Sequence, residues 1–397
     1  MKIAKRMEEI HFSPIRKFWP YAVKAQEAGK KIYYFNIGQP DIKTPSVFME
    51  AIRNFHEPVL EYMPSQGIPE LIKAICGYYK GYGMAYEDED IYITNGGSEG
   101  LCFLMAAILD DGDEVLTPEP FYTNYSVFVR YFGGKLVPIT TKPEEGYHYA
   151  DRDKIESLIT PKTKAIMISN PSNPTGNVLT KEEMRMIMEI AGKHDLFVVA
   201  DEAYREFVYD DLELGSFGQV MEGLEDHLVI SDTISKRFSA CGARIGALLT
   251  KNKVIKDCIM KQAQARLSAP TLEQVGAVAL YSLDKSYFNE TKAEYQRRRD
   301  VVFEELSRIE GVICTKAKGA FYMTVKLPVD SAEDFLVFML SEFQDKGETM
   351  MFAPANGFYV TPGSGTSEIR LAYVLKEDDL RRGIELLRLG IEAYNNR

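Results

Sequence analysis

The stretch from Ser231 to Gly246 sets one lysine, Lys236, among small hydroxyl residues, with Arg244 eight positions on between glycines. A lysine amine becomes a nucleophile when desolvation or a nearby cation lowers its pKa, and its usual covalent product is a Schiff base with a carbonyl. Thr233 and Ser235 bring hydroxyls and Arg244 a fixed fork of donors, a set that can bind a phosphate beside that amine. Taken alone, a surface lysine with a structural ion-pair arginine is the competing reading. The rest of the chain decides between them.

Other positions have the same character. Asp201 ends the apolar run Leu196 to Ala200, where a carboxylate is costly to bury unless it meets a cation. In Asn170-Pro171-Ser172-Asn173-Pro174-Thr175-Gly176, two Asn-Pro pairs make a stiff loop that can hold the Asn173 amide in one place. Gly97 and Ser98 precede an apolar helix expected over 101–109, which offers unpaired N–H groups to an anion. This segment lacks both the dinucleotide fingerprint and the P-loop ending. Tyr122 follows the strand expected over 114–117 and offers a ring to stack on a flat cofactor, with core packing as the alternative. Gly38 marks a turn where backbone can approach a ligand. Tyr62 sits in a polar loop, with surface packing as its default role. Arg370 lies in 368–373, where alternation projects it from a half-buried strand and burial favours a carboxylate partner.

The elements that must position these residues alternate between strand and helix. Strands are expected over 33–37, 91–94, 165–169, 196–200, 243–250 and 319–323. Helices are expected from Pro69, over the stretch to His194 that Thr180 and Glu183 open as a capping box, after a second box at Thr271 and Gln274, and over 289–309. At 397 residues, 45% hydrophobic and 26% charged, the chain suits a soluble globular protein of one large and one smaller domain. A net charge of −11 with no basic block argues against nucleic acid and anionic membrane as partners. No apolar run reaches the roughly 18 residues of a membrane span, and the segment from Met1 to Ile10 lacks a signal-peptide core, so a cytoplasmic location is expected. Five cysteines and five histidines, His11 among them, are scattered without the spacing of a disulfide framework or a metal site.

Lys236 beside a phosphate set points to pyridoxal phosphate. With Asn173-Pro174-Thr175-Gly176, Asp201 and Tyr204, and Ser235-Lys236 with Arg244 in this order, the chain resembles the fold-type-I pyridoxal-phosphate aminotransferases of class I and II, which include aspartate aminotransferase. The resemblance runs from Asn36-Ile37-Gly38 to Arg370. It implies an α/β fold: a large domain (51–286) whose mostly parallel seven-stranded sheet is sandwiched by helices, and a smaller α+β domain from both chain ends (1–50 and 287–397). It implies pyridoxal 5'-phosphate as cofactor, held by Lys236, with Asp201 on the pyridine nitrogen, Asn173 and Tyr204 on the ring oxygen, and Tyr122 stacked on the ring. The phosphate falls to Gly97, Ser98, Thr233, Ser235 and Arg244, with Tyr62 reaching in from the second subunit of a homodimer. Arg370 matches the arginine that grips the substrate α-carboxylate, with Gly38 on a loop beside it and Asn173 nearby.

The activity implied is transfer of an amino group between an α-amino acid, aspartate by default with alanine and aromatic substrates open, and an α-keto acid. Two alternatives stand beside it: a cystathionine β-lyase-like carbon–sulfur lyase on the same residues, and a non-catalytic ligand-sensing domain. One departure bears on substrate. Where one branch carries a lysine in the phosphate loop for an acidic substrate, this chain has Ser98, and Arg266 lies only roughly where another branch has its arginine.

Overall fold

The computed structural model describes residues 2–8, 10 and 12–397. Its strands, in chain order, are β1 (Lys31–Tyr34), β2 (Ile91–Thr94), β3 (Glu114–Pro118), β4 (Lys135–Ile139), β5 (Thr163–Ser169), β6 (Phe197–Asp201), β7 (Leu228–Thr233), β8 (Gly246–Leu249), β9 (Ile313–Cys314), β10 (Tyr322–Lys326), β11 (Glu348–Met351), β12 (Ala353–Pro354) and β13 (Glu368–Ala372). β2 to β8 form one seven-stranded sheet in the order β2-β8-β7-β6-β5-β3-β4. All its pairs are parallel except those of β8, which runs antiparallel to both β2 and β7. Its central strands are apolar on both faces, as a parallel sheet covered by helices requires: Ile166, Met167 and Ile168 of β5 and Val198, Val199 and Ala200 of β6 have no exposed surface. The mostly parallel seven-stranded sheet expected from the sequence is therefore present.

The helix Lys181–His194 shows how the covering layer is specified. Thr180 accepts from the Glu183 N–H and Glu183 Oε2 from the Thr180 N–H, closing a capping box, and Met184, Ile187, Met188 and Ala191 are buried on one face. A second core lies around β1 paired with β11 and the antiparallel sheet β12-β13-β10-β9. It holds Phe18 and Phe35 from the start of the chain, Tyr295, Phe335 and Leu387 from its end, and Tyr204, Phe207 and Tyr209 from the loop after β6. That loop bridges the end of a central strand and the second core.

Several local expectations need correction. The segment at 319–323 becomes strand only from Tyr322, because Ala320 takes a left-handed φ of 55°. The strand expected over 243–250 is Gly246–Leu249: Cys241–Ala243 forms a 3-10 turn and Arg244 follows at φ 54°. Thr271 and Gln274 make no capping box. Pro270 precedes that helix, the Thr271 hydroxyl donates to Glu61 O, and Gln274 ties Ile68 N–H to Ala269 O at 2.9 and 3.0 Å. β1 ends at Tyr34; Phe35 N–H still donates to Met351 O and Phe35 O accepts from Ala372 N–H, and the Asn36 and Gly38 carbonyls turn to Arg370 and Lys236. β13 is buried throughout, not on one face. The helix expected from Leu101 begins at Gly97, which places Gly97 and Ser98 in its first turn.

Behind β7 lies a buried ionic layer. Arg237 pairs with Asp232, Tyr79 donates to Asp232 Oδ2 at 2.9 Å, and Arg205 reaches Glu202 at 3.4 Å over the rings of Tyr79 and Tyr82. Removing one partner of such a pair leaves an uncompensated buried charge, at a cost of about 3–5 kcal/mol. Asp232→Ala is thus expected to lower unfolding free energy by about 3–5 kcal/mol in urea titrations; no shift in the midpoint would contradict this role. Among the described residues no helix is long and apolar enough to cross a membrane, and no group of three or more His, Cys, Asp or Glu is placed to hold a metal. Met1 and His11, both named in the sequence analysis, lie outside the described residues.

Candidate active site

A cleft of about 540 Å³ opens at the C-terminal ends of β5, β6 and β7, against β10 and β13. Every site residue expected from the sequence lines it except Tyr62 and Arg266. Tyr62 is 79% exposed, in a segment whose Val59 and Leu60 are exposed as well.

One end of the cleft is an anion cradle. The helix Gly97–Ile108 starts there with no side chain capping it, and Gly96 before it has φ 76°, a conformation glycine adopts without strain. A Cβ on Gly96 would overlap the Arg244 guanidinium, and one on Gly246 would lie 2.6 Å from Gly96 C and 2.7 Å from Gly97 N. Only glycines let these two loops and the arginine converge on the helix's free N–H groups. Thr233 Oγ1 shares a hydrogen bond of 2.8 Å with Ser235 Oγ and donates to Ile245 O at 2.9 Å, so β7's end adds two hydroxyls. Arg266 stands outside the cleft as a brace. Its Nη1 donates to Glu99 Oε2 at 2.8 Å and Nη2 to Ser65 O at 3.0 Å, while the same Glu99 oxygen accepts from Asn95 N–H at 2.7 Å.

At the other end β6 delivers Asp201, whose Oδ2 accepts from the Tyr125 hydroxyl at 2.7 Å and Oδ1 from Ala203 N–H at 3.2 Å. Burial raises its pKa, offset in part by those two donors. Asp201 forms no ion pair among the described residues. Tyr122 stands edge-on to Tyr125 with centroids 5.5 Å apart, its phenol pushed up to about 12 by burial. Lys236, half-buried, donates from Nζ to Gly38 O at 2.9 Å. Tyr204 shares a 2.8 Å hydrogen bond with Tyr322, and burial holds its phenol well above the ordinary range.

Arg370 is 2% exposed, with its guanidinium 4.5 Å above the Tyr322 ring. Among the described residues it lacks the carboxylate partner expected for it. Nη1 donates to Asn173 Oδ1 at 3.1 Å and Nη2 to Asn36 O at 2.6 Å, and Nε is buried with no acceptor among the described residues. A buried guanidinium so arranged has donors to spare for an incoming carboxylate.

Sequence reasoning assigned no role to Tyr125, Tyr322 or Asn36. Tyr125 had a signal, a second tyrosine three residues after Tyr122 at a helix start. Tyr322 had none before the register was known: β10 pairs Thr324 with Arg370, which puts Tyr322 on the same face two residues along.

A flat, phosphorylated, ring-nitrogen cofactor fits these residues. The cradle offers N–H groups, hydroxyls and Arg244 to a phosphate, and the unpaired Asp201 carboxylate calls for a cation at the far end, which a protonated ring nitrogen supplies.

Comparisons with known proteins agree in class. The sequence profile of the family described as Aminotransferase class I and II matches residues 30–387. The probable aspartate/prephenate aminotransferase of Aquifex aeolicus is 32% identical over 98% of both chains, and the aspartate aminotransferase of Bacillus subtilis 29% identical over all of both. Among solved structures, an alanine aminotransferase from Pyrococcus furiosus superposes with a TM-score of 0.89 at 28% identity, covering 99% of this chain and 100% of its own. The Thermus thermophilus aspartate aminotransferase with maleate gives 0.87 at 28% identity, covering 98% and 100%.

Proposed function

The chain belongs to the class I and II aminotransferases, and from that premise we propose that it moves an amino group between an α-amino acid, aspartate first, and an α-keto acid such as 2-oxoglutarate, using pyridoxal 5'-phosphate. The observation that carries this reading is the meeting of Lys236, the unpaired Asp201 and the donor-rich Arg370 in one cleft with an anion cradle.

When bound, the cofactor supplies an electron sink for the pair left at the substrate α-carbon. Gly97, Ser98, Thr233, Ser235 and Arg244 would hold its phosphate, and Asp201 would pair with its ring nitrogen and favour the protonated form. Asn173 and Tyr204, which line the cleft, would donate to its ring oxygen, and Tyr122 would offer its ring as a stacking surface. Arg370 takes the α-carboxylate, its orientation fixed by Asn173, Asn36 O and the Tyr322 ring. Lys236 Nζ, which reaches into the cleft beside Gly38 O, would serve as the base that takes the proton from the substrate α-carbon. Tyr62 of the partner subunit completes the phosphate site in a homodimer, a reading supported by its exposure beside Val59 and Leu60. We place the protein in the cytoplasm, which its five unpaired cysteines support.

The test is spectroscopic. The purified protein with pyridoxal phosphate should show a visible absorption band that an amino acid bleaches and a keto acid restores. A protein that stays colourless would sink the reading, and pyruvate plus ammonia from cystathionine without any keto acid would mark a lyase instead.

Gly38 gives a second expectation. A Cβ there would overlap the Tyr322 hydroxyl and ring, which carry Arg370 and Tyr204. Displacements of about 1 Å at a reacting centre cost on the order of 10²-fold, so Gly38→Ala should lower kcat/KM by that order, and overpacking against the buried ring should also lower stability by about 1–3 kcal/mol. Equal kcat/KM would show that the loop and Tyr322 move freely.

A further inference from the structure

Four cationic side chains line the cleft: Arg16, Lys236, Arg244 and Arg370. The proposed function uses the last three, and the role assigned here to Arg16 rests on that reading. Arg16 is left over, with no ion pair or side-chain hydrogen bond among the described residues. Its neighbour Lys17 meets the opposite fate, pairing with Glu333 away from the cleft.

The turn that carries Arg16 is well anchored. The N–H groups of Arg16 and Lys17 both donate to Ser13 O, at 3.0 and 3.1 Å, and Arg16 O accepts from Trp19 N–H at 3.0 Å. Ile15 packs on Ala353, Ala355 and Phe358, and Pro14 lies so close to Gly357 that no Cβ would fit between them. The Phe358 ring in turn lies 5.2 Å from the Arg370 guanidinium. The turn thus rests on the wall that carries Arg370, at the substrate end of the cleft and not in the phosphate cradle.

We propose that Arg16 binds the side-chain carboxylate of a dicarboxylic substrate, while Arg370 binds the α-carboxylate. A guanidinium without a partner at the edge of a cleft presents a planar fork matched to a carboxylate. The other positions that could supply this charge are spent or neutral: Ser98 is uncharged, and Arg266 is committed to Glu99 and Ser65 O outside the cleft. Substrates of this class are aspartate, glutamate and their keto acids. The competing account is that Arg16 is a solvated surface cation with no part in recognition.

The holoenzyme tests this through a ratio. In Arg16→Ala, half-reaction kcat/KM for aspartate divided by that for alanine should fall on the order of 10²-fold, as loss of a charge-assisted contact predicts, and Arg16→Lys should keep part of it. The ratio does not depend on the fraction of folded enzyme, and an unchanged ratio would overturn the proposal. Succinate, a dicarboxylate without an amino group, gives a second readout by calorimetry. It should bind Arg16→Ala at least about 10-fold more weakly than wild type, and equal affinity would also overturn the assignment. Should wild type transfer no amino group to any keto acid, the aminotransferase reading fails, while the succinate titration still decides whether Arg16 holds a dicarboxylate.

Discussion

Lys236→Ala is expected to reduce amino-group transfer on the order of 10⁵-fold or more, since proton transfer by a placed side chain alone contributes about 10²–10⁴-fold and the variant also loses the nucleophile. The measurement is a single-turnover half-reaction, which isolates chemistry from product release. Lys236→Arg separates charge from basicity. It keeps a cation able to donate to Gly38 O, but a guanidinium stays protonated and cannot take a proton from carbon. Activity equal to wild type in Lys236→Arg would mean that only the charge matters, and would refute the role as base. Both variants should fold, because Lys236 is half-buried and its Nζ contacts only Gly38 O and the Cys241 sulfur among the described residues.

How much of this site was legible beforehand depends on the range of the forces involved. Asp201 declared itself locally: a carboxylate ending an apolar strand is expensive wherever the strand lies, and it is buried as expected. The Thr180–Glu183 cap was legible because its partners are three residues apart. The same pattern at Thr271–Gln274 failed because Pro270 has no side-chain oxygen to cap with, and a long-range contact, Gln274 to the Ile68 N–H, claimed the glutamine. Arg370 was read on the right strand with the wrong surroundings: alternation suggests one wet face, yet β13 is covered on both sides by elements distant in sequence. Tyr322 is the clearest loss. Nothing in its local sequence marks it, and its role as the surface under Arg370 follows only from the pairing of β10 with β13.

The same locality explains why the phosphate cradle read more easily than the substrate end. Gly97, Ser98, Thr233, Ser235 and Arg244 come from two short segments whose backbones touch at Gly96 and Gly246, so spacing alone carries most of the geometry. The substrate end joins residues from near 16, 38, 173, 322 and 370, whose meeting needs both cores to be assembled. Arg16 belongs to this second set, and no local pattern around it distinguishes it from Lys17.

Asp201→Asn is expected to move activity and stability in opposite directions. Loss of the carboxylate should lower kcat on the order of 10²–10³-fold, the usual scale for one preorganised electrostatic group at a reacting centre. The cofactor-free protein should nevertheless become more stable near neutral pH. Burial raises the Asp201 pKa, so the folded state binds its proton more tightly than the unfolded chain does, whose value lies near 3.8. Its favourable contribution is therefore fully present below that value and lost as pH rises through the raised folded value, leaving a buried charge without a cation. An amide removes that cost and keeps the hydrogen bonds. Its oxygen accepts from Ala203 N–H, and the Tyr125 hydroxyl, now the donor at 2.7 Å, can reverse and accept from the new NH₂. Thermal midpoints of the two cofactor-free proteins should converge in acid and separate above it, with the variant higher. Pyridoxal phosphate should then reverse the order, because only the carboxylate gains a cationic partner from the ring nitrogen. If the cofactor raised both midpoints equally, Asp201 would not be meeting that nitrogen, and its burial would have to be explained by the fold alone.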